Sequence, residues 1–418
     1  MSPSELSTTW FLQMAAIVVV CRLVGWAVQR FFGQPQVVGE MIAGVILGPS
    51  ILGALAPAVE ATLFPAGTKG VLYVGAQFGV GLYMFIVGLT FDREGFRQCA
   101  RSAASVSIAG IAAPFAVAAF LIPWLITQPG LFTERVNATQ GALFLGSAIA
   151  ITAFPMLARI IHEQGIAETR LGTLSLSAGA IGDAVAWVVI ALVLSSLGEG
   201  PGVLIKAVGG GAVFAIFMLF VAPRFLTRLE ALTIARGGVD TPVLSITLVL
   251  FLLSAWAMDA AGIHAVFGGF LLGTAMPRGR FSEGVRARIE PFAVTFLLPM
   301  FFSFSGLNTQ LQLVNNTELL LATLAILAAA ILAKGGACWV AALIVGEDNR
   351  TALGIGALMN ARGLMELIII NIGLQRGVIG LPLFAILVLM AIVTTLMASP
   401  LFELAYGRSR RKQGTQPA

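Results

Sequence analysis

Charged residues are scarce in this chain: Asp, Glu, Lys and Arg make up 11% of its 418 residues, whereas soluble domains carry about 25%. This scarcity excludes an ordinary soluble enzyme. Hydrophobic residues make up 58% of the chain, and the mean hydropathy is +0.94. The composition therefore predicts an all-α polytopic membrane protein that lies in the lipid bilayer. The net charge of +5 has to be judged loop by loop, and we expect no nucleic acid partner.

Cysteine and histidine are also rare, with three Cys and two His. His162 and Glu163 resemble the start of a zinc motif, but the second His that a zinc helix needs is missing at the required spacing, and His264 lies on another span. The cysteines lie in or beside apolar runs without metal-ligand spacing: Cys21, Cys99 and Cys338. We therefore expect no enzyme, no resident metal and no cofactor.

The apolar runs are long enough to cross a bilayer repeatedly, since a transmembrane helix needs about 20 mostly apolar residues. We predict about 13 transmembrane helices, of which the ninth is short. Their expected bounds are 8–29, 36–53, 70–91, 101–126, 141–165, 171–197, 202–223, 241–260, 264–276, 289–307, 318–345, 351–373 and 380–404.

Lys and Arg concentrate in alternate connections between these spans. Because positive charge marks the cytoplasmic side, we expect the N-terminus outside and the C-terminus inside. Residues 1–407 are predicted to form the transmembrane domain, and residues 408–418 a short basic cytosolic tail. We expect the protein in the cytoplasmic (inner) membrane.

One acid lies near the middle of the sixth span. A carboxylate at the centre of a membrane helix costs about 2.5 to 3.5 kcal/mol on insertion scales, so Asp183 is a functional candidate by default. Ser and Gly residues surround it in the sequence, which favours packing against protein over lipid. Five other charges inside predicted spans also need an explanation: Arg22, Glu40, Lys334, Arg362 and Glu366.

Two pairs of short patterns recur at an offset of seven spans. The spacing of Gly44 and Gly48 in the second span matches that of Gly269 and Gly273 in the ninth. A Gly-Leu pair also closes both the third and the tenth spans. An odd offset inverts the second copy, which predicts two inverted repeats, a design of secondary transporters.

Two spans carry helix-breaking or polar residues near their centres. Thr152 and Pro155 lie in the fifth span, and Asn360, Arg362 and Gly363 lie in the twelfth. Proline removes a backbone hydrogen bond, and Asn or Arg at this depth must face protein or a water-filled cavity. Two interrupted helices at matching positions of two halves, together with the acid on the sixth span, indicate a transport site.

The expected chemistry follows from the helix breaks. Half-helix ends expose free carbonyl groups at one break and free N–H groups at the other. We expect the free carbonyls to coordinate a cation, while Arg362 and Thr152 stabilise the opposing dipole ends. Asp183 offers one negative charge that either a proton or a monovalent cation can neutralise. Competition of two ions for one acid is the minimal chemistry of an antiporter.

Six stretches of the chain carry a family resemblance. They resemble the membrane domain of monovalent cation:proton antiporters, the second of the large cation:proton antiporter families, which includes potassium-efflux antiporters and plant cation/proton exchangers. The stretches run in order through nearly the whole chain: QPQVVGEMIAGVILGPSILG (34–53), LYMFIVGLTFD (82–92), SAIAITAFPMLARII (147–161), GDAVAW (182–187), HAVFGGFLLGTAMPR (264–278) and MNARGLMELIIINIG (359–373).

The resemblance implies a homodimer that exchanges Na⁺ or K⁺ for H⁺ by alternating access, with broken helices crossing at spans 5 and 12. It identifies Asp183 as the ion- and proton-binding acid. Thr152 and Pro155 match the first crossover, and Asn360 and Arg362 match the second.

Three further positions receive roles from the resemblance or from spacing. Lys334 resembles the membrane lysine of the eleventh helix, where it compensates charge. Glu366 follows Arg362 by four residues, the spacing of a same-face ion pair, which we interpret as structural. Glu40 resembles a glutamate of the second helix in an entrance or interface position.

The chain departs from the family pattern beside the central acid. Relatives that move net charge carry two adjacent acids, but Gly182 precedes Asp183 here. Lys334 must therefore pair with Asp183, find another partner or be neutral, and we predict electroneutral exchange. Potassium-efflux relatives also continue into a nucleotide-binding domain, whereas this chain stops at Ala418 and has no GxGxxG after a strand pattern, so we expect no nucleotide gating.

Two alternatives keep the membrane fold and change the activity. One is an organic-anion carrier similar to bile-acid symporters, which share discontinuous crossing helices. The other is a channel-like cation efflux protein. The set of Asp183, Lys334 and Arg362 resembles the cation exchangers more than either alternative.

Overall fold

The computed structural model describes residues 2–195, 200–307, 317–362 and 364–406. These residues form helices and contain no strand, apart from one isolated bridge between Phe132 and Ile379. The predicted all-α class is therefore confirmed. The predicted tail 408–418 and Gly363 lie outside the described residues.

The chain divides into two compact units. The first comprises residues 1–22, 46–93 and 187–307, and the second comprises 23–45, 94–186 and 308–418. Helices α1, Pro3–Phe32, and α9, Arg170–Leu194, contribute to both units. The other helices that lie mainly in the first unit are α3 Leu52–Leu55, α4 Pro57–Leu63, α5 Lys69–Thr90, α10 Pro201–Ile216, α11 Ala222–Ala235, α12 Thr241–Ala260, α13 Ala265–Ala275, α14 Arg280–Phe292 and α15 Leu298–Leu307.

The second unit holds the remaining helices. They are α2 Gln36–Leu47, α6 Arg93–Leu125, α7 Ala138–Ala150, α8 Phe154–Glu163, α16 Thr317–Ala329, α17 Ala337–Ile344, α18 Asn349–Leu358, α19 Leu364–Gln375 and α20 Leu381–Tyr406. Wider π-helical turns interrupt three spans of the described chain, at Phe217–Val221, Ala293–Leu297 and Ala330–Gly336. Such turns are common at functional sites, and the last of them contains Lys334.

Eleven helical stretches of the described residues are long and apolar enough to cross a membrane. The short predicted ninth span is the apolar helix α13, Ala265–Ala275. The predicted twelfth span corresponds to α18 and α19, which flank residue 363. The count of thirteen crossings and the inverted repeat both stay predictions.

In the first unit, glycines let α5 and α13 approach at backbone distance. A Cβ atom on Gly88 would lie 2.4 Å from the Phe270 carbonyl oxygen, and one on Gly273 would lie 2.1 Å from the Phe85 oxygen. No side chain fits at such distances. The Gly269–Gly273 pattern that the sequence offers as a repeat signal therefore has a packing role.

Arg278 fixes the end of α5 in the same unit. Its guanidinium group donates to the carbonyl oxygens of Gly88, Leu89 and Phe91. Burial and the neighbouring Arg93 lower the pKa of Arg278 to about 10, so the group still carries its charge at neutral pH. A cation at the C-terminus of a helix also complements the helix dipole.

Candidate functional site

Asp183 lies on the part of α9 that belongs to the second unit, and its side chain is buried, with 1% of its surface exposed. Within the described residues, neither carboxylate oxygen has a hydrogen-bond partner of regular geometry. The carboxylate does interact with the backbone N–H of Phe154, the first residue of α8. The positive end of a helix dipole thus faces the acid. A buried carboxylate that keeps its oxygens unpaired is costly and is arranged to accept a ligand or a proton.

The fifth span is broken where the sequence predicts. Helix α7 ends at Ala150, residues Ile151 to Ala153 are extended, and α8 begins at Phe154 with Pro155 in its first turn. Proline suits the first helical turn because its missing N–H has no partner there in any helix. Pro155 therefore starts the second half-helix rather than kinking a continuous one.

The twelfth span is interrupted opposite the fifth, and the two breaks touch. The Thr152 hydroxyl donates to the Met359 carbonyl oxygen at 3.2 Å. The Ala153 N–H donates to the Ala361 carbonyl oxygen at 3.0 Å. These two bonds join the non-helical segments directly, as the predicted crossing of broken helices requires.

The carbonyl groups at the end of α7 are not free, and this corrects the expectation that they would coordinate the cation. The Ser147 carbonyl accepts the Ile151 N–H. Arg362 donates through its two terminal nitrogens to the carbonyls of Ala148 and Ile149, each at 2.7 Å. Lys334 donates to the carbonyl of Ala150. Protein donors thus occupy all four carbonyls that a helix end leaves unsatisfied.

Lys334 has found a partner other than Asp183. The residue is 1% exposed and interacts electrostatically with the Asp183 carboxylate, but no ion pair within 4.0 Å joins the two among the described residues. Lys334 thus bonds to the Ala150 carbonyl, which fits either of the two alternatives in which it does not pair with Asp183: a different partner or a neutral amine. The lysine leaves the carboxylate oxygens available.

Arg362 is held from two further directions. Its guanidinium group lies 3.2 Å from Glu366 Oε1, and both side chains are fully buried. Its backbone N–H donates to Thr395 Oγ1 at 2.9 Å, and the Thr395 hydroxyl lies 3.0 Å from its carbonyl oxygen. The contact with Glu366 is the one that the four-residue spacing predicts.

Thr395 is a positioning residue that sequence reasoning missed. It lies on α20, an otherwise apolar helix, next to Thr394. Hydroxyl groups inside an apolar span usually face protein, which is the signal that could have singled out this pair. Nothing in the sequence tells which of the two contacts the crossover.

Asn360 contributes an amide to the crossover. Its Nδ2 donates to the Gly356 carbonyl at 3.1 Å, while its Oδ1 has no hydrogen-bond partner among the described residues. Gly335 makes room for it, since a Cβ atom there would lie 2.4 Å from Asn360 Nδ2. The free Oδ1 is a neutral oxygen of the type that monovalent cations bind.

Gly182 packs against a serine of α6. A Cβ atom at this position would lie 3.2 Å from Ser107 Oγ, and that hydroxyl donates to the Ala178 carbonyl at 2.6 Å. The position directly before Asp183 is thus filled by a helix contact. Sequence reasoning identified the glycine but did not identify Ser107.

The remaining candidates lie elsewhere. Glu163 forms an ion pair with Arg159 at 2.6 Å and accepts a hydrogen bond from the Val37 N–H. The side chain of Glu40 accepts a hydrogen bond from Gln36 at 3.2 Å. In the first unit, Arg22 donates to the Val294 carbonyl at 3.3 Å. None of these contacts involves the two helix breaks.

The family assignment rests on a match over almost the whole chain. Residues 16–404 match the family described as "Sodium/hydrogen exchanger, transmembrane". The chain belongs to the sodium/hydrogen exchanger family. This membership confirms the predicted resemblance and makes the chain an integral membrane protein.

Several named exchangers are similar to this member. It is 37% identical over 413 residues to the Na(+)/H(+) antiporter NhaS4 of Synechocystis sp., covering 96% of this chain and 98% of that one. It is 31% identical to the K(+)/H(+) antiporter 1 of Saccharomyces cerevisiae, covering 97% of this chain and 47% of that one. The exchanger chain thus spans about half the length of the yeast relative, and it likewise spans about half of several Arabidopsis thaliana cation/H(+) antiporters.

A solved structure shows the same exchanger fold. The sodium proton antiporter MjNhaP1 of Methanocaldococcus jannaschii superposes with a TM-score of 0.64 over 98% of this chain and 100% of that one, at 15% sequence identity. This likeness establishes the fold and leaves the ion to be argued from the site.

Proposed function

We propose that the protein is a secondary antiporter that exchanges a monovalent cation, Na⁺ or K⁺, for H⁺ by alternating access. The observation that carries the proposal is the Asp183 carboxylate, which is buried and has no hydrogen-bond partner of regular geometry for either oxygen among the described residues. A proton or a cation can neutralise it, and the two cannot occupy it together. Relatives named as Na(+)/H(+), K(+)/H(+) and Na(+)/H(+)-K(+) antiporters support this reading.

The cation ligands that we propose are side-chain oxygens rather than helix-end carbonyls. Asp183 supplies charge and Asn360 supplies its unpartnered Oδ1. Thr152 donates its hydroxyl proton to the Met359 carbonyl, which leaves the lone pairs of its oxygen for a cation. Oxygen ligands of this kind suit a hard monovalent ion.

Arg362 acts in the proposal as a fixed charge, and Lys334 acts as a hydrogen-bond donor. Both side chains donate hydrogen bonds to carbonyl groups at the end of α7, where a positive charge complements the negative end of the helix dipole. The Arg362 charge is balanced by Glu366. Because one carboxylate exchanges one monovalent cation for one proton, transport is electroneutral.

The setting of the exchanger is also proposed. We place it in the cytoplasmic (inner) membrane as a homodimer, with a lipid bilayer around it and with transport, not catalysis, as its activity. Native mass spectrometry of the purified protein in lipid nanodiscs measures the oligomeric state, and a monomer there would remove the dimer from the proposal.

Dequenching of a pH-sensitive dye in proteoliposomes tests the exchange itself. Wild-type protein should move protons when Na⁺ or K⁺ is added, and Asp183→Asn should not. Asp240→Asn is the matched control, because Asp240 is a partly exposed N-cap outside the spans, paired with Arg236, and Asn also caps helices well. If Asp183→Asn retains cation-dependent proton movement, the carboxylate is not the site and the organic-anion alternative gains support.

Charge movement on a solid-supported membrane tests the stoichiometry. A sodium or potassium gradient should produce no sustained current with wild-type protein. A robust current that disappears in Asp183→Asn would show that each cycle carries net charge across the membrane, and it would contradict electroneutral exchange.

A further inference from the structure

His264 occupies an unusual position for a histidine in the first unit. Its imidazole is buried, with 6% of the residue exposed, and its Nδ1 accepts a hydrogen bond from the Val266 N–H at 3.3 Å. His264 is therefore the N-cap of α13. An imidazole can cap a helix in this way only while Nδ1 carries no proton, so the cap requires the neutral tautomer with its hydrogen on Nε2.

The same imidazole packs on a tryptophan of the helix that carries Asp183. The rings of His264 and Trp187 have centroids 5.4 Å apart and planes 34° apart. Trp187 follows Asp183 by four residues in the continuous helix α9, which is about one helical turn. The ring contact is therefore made by the same helix that carries the acid, about one turn further along the chain.

The surroundings of the cap resist a positive charge and offer an alternative partner. A protonated imidazole would lose the Val266 bond and would place a cation at the positive end of the α13 dipole. The carboxylate of Asp259, at the end of α12, interacts with the neighbouring Ala265 N–H and with Tyr73 of α5. Helix α13 itself carries no charged residue, and Trp187 is uncharged. Asp259 is thus the acid that would attract an imidazolium out of its buried position.

Helix α13 is packed too closely to absorb the change elsewhere. A Cβ atom on Gly268, in its first turn, would lie 2.2 Å from the Ser254 carbonyl of α12, and one on Gly269 would lie 2.4 Å from the Gly81 carbonyl of α5. With the backbone held at these distances, the imidazole is the part that can move.

We propose that His264 is a positioning residue whose neutral imidazole holds Trp187, and through it the Asp183 turn of α9, and that protonation releases this hold. The charge pattern of the loops predicts that this end of α13 faces outside, so acidification of the outer side slows the exchanger. The proposal rests on the proposed function for its transport consequence only. The protonation step and the release of the rings stand on the geometry alone.

Nuclear magnetic resonance tests the release without any transport. The chain has two histidines, so His162→Gln leaves His264 as the single imidazole of the protein in nanodiscs. Lowering the pH should protonate that imidazole. In the same pH range, the Val266 amide should lose its protection from hydrogen exchange, and the fluorescence of Trp187 should change. The Trp187 signal is obtained by subtracting the fluorescence of the Trp187→Phe variant. A His264 that protonates with the Val266 amide still protected would overturn the proposal, and so would one that never protonates above the pH of unfolding.

Transport kinetics test the consequence. Lowering the outer pH should reduce the maximal rate of the wild type, an effect that extra cation does not restore, whereas competition at Asp183 is relieved by extra cation. His264→Asn retains a capping oxygen and cannot titrate, so this fall in maximal rate should be lost. The His264→Ala variant has no capping atom, so its maximal transport rate should be low at every pH. The His264→Asn variant should restore that rate, because Asn supplies a capping oxygen. An unchanged outer-pH profile of the maximal rate in His264→Asn would overturn the proposal, whereas a wild type without any exchange would contradict the proposed function instead.

Discussion

At the scale of single residues, the proposed site separates bonded basic groups from a carboxylate that has no such bonds. Lys334 and Arg362 are bonded to the end of α7, and Arg362 is also paired with Glu366. Asp183 has no such bond for its oxygens among the described residues. Burial of a charge is tolerated when the charge is paired and is costly when it is not. The imbalance therefore concentrates the demand for a proton or a cation on one carboxylate.

Removing the charge of Glu366 should destabilise the protein strongly. Glu366→Gln leaves Arg362 as an uncompensated buried cation, and breaking a buried pair in this way costs about 3 to 5 kcal/mol. Thermal unfolding in detergent should therefore show a large fall in Tm. The matched control is Glu290→Gln, which breaks another pair at four-residue spacing, with Arg286 at 2.5 Å, whose side chains are 44% and 32% exposed. Exposed pairs contribute at most about 1 kcal/mol, so equal effects of the two substitutions would contradict the structural role of Glu366.

At the scale of helices, the sequence was informative where backbone chemistry decides the outcome. Pro155 and the polar residues around Asn360 predicted both interruptions, because proline and buried amides have few acceptable environments in a membrane. The side chains that donate hydrogen bonds to the α7 carbonyls could not be predicted from the sequence. Their identity depends on which side chains of other helices reach Ala148 to Ala150, and that is decided by tertiary packing. The π-helical turn at Ala330–Gly336 was likewise invisible, because its residues fit an ordinary apolar helix.

The contact of α20 with the crossover should depend on one hydroxyl. Thr395→Val removes the hydroxyl that accepts the Arg362 N–H and whose single proton is shared between the carbonyls of Ala391 and Arg362, at a cost of about 1 to 3 kcal/mol for the unsatisfied backbone N–H. Hydrogen exchange at residues 359–362 should become faster, and transport should slow. Thr394→Val is the control, because the contacts of the Thr394 hydroxyl within the described residues are carbonyls of its own helix, at Met390 and Ala391. Similar exchange rates in the two variants would show that Thr395 does not hold the crossover.

The close packing of α5 and α13 should tolerate no side chain at its glycines. Gly273→Ala places a methyl group 2.1 Å from the Phe85 carbonyl, so the helices must separate and the Tm should fall by several degrees. Gly209→Ala, on α10, has no neighbouring heavy atom within 4 Å and improves helix propensity, so its Tm should be unchanged or higher. A stable Gly273→Ala protein would mean that the two helices are not packed through this glycine.

At the scale of the whole molecule, composition and loop charge predicted the class and the orientation. The family match and the all-helical structure confirm the class. The seven-span repeat and the thirteen crossings stay predictions, because a short helix such as Ala265–Ala275 does not reveal from its length whether it crosses a bilayer.

Thiol labelling can test the predicted orientation. The three native cysteines are buried, so introduced cysteines should dominate the reaction with a membrane-impermeant maleimide. Arg135→Cys and Glu283→Cys replace exposed residues in connections between predicted spans that we expect outside and inside, respectively. In intact cells the reagent should label only the first, and permeabilisation should add the second. The reverse pattern would invert the topology.

Proton–cation competition at Asp183 is the central claim, and the cation dependence of transport at different pH values on the cytoplasmic face measures it most directly. In inside-out vesicles, the half-saturating concentration of Na⁺ or K⁺ should rise in proportion to the proton concentration while the maximal rate stays constant. Glu290→Gln should behave like the wild type, and Asp183→Asn should transport at neither pH. If acidification instead lowers the maximal rate and leaves the half-saturating concentration unchanged, the proton and the cation do not share Asp183.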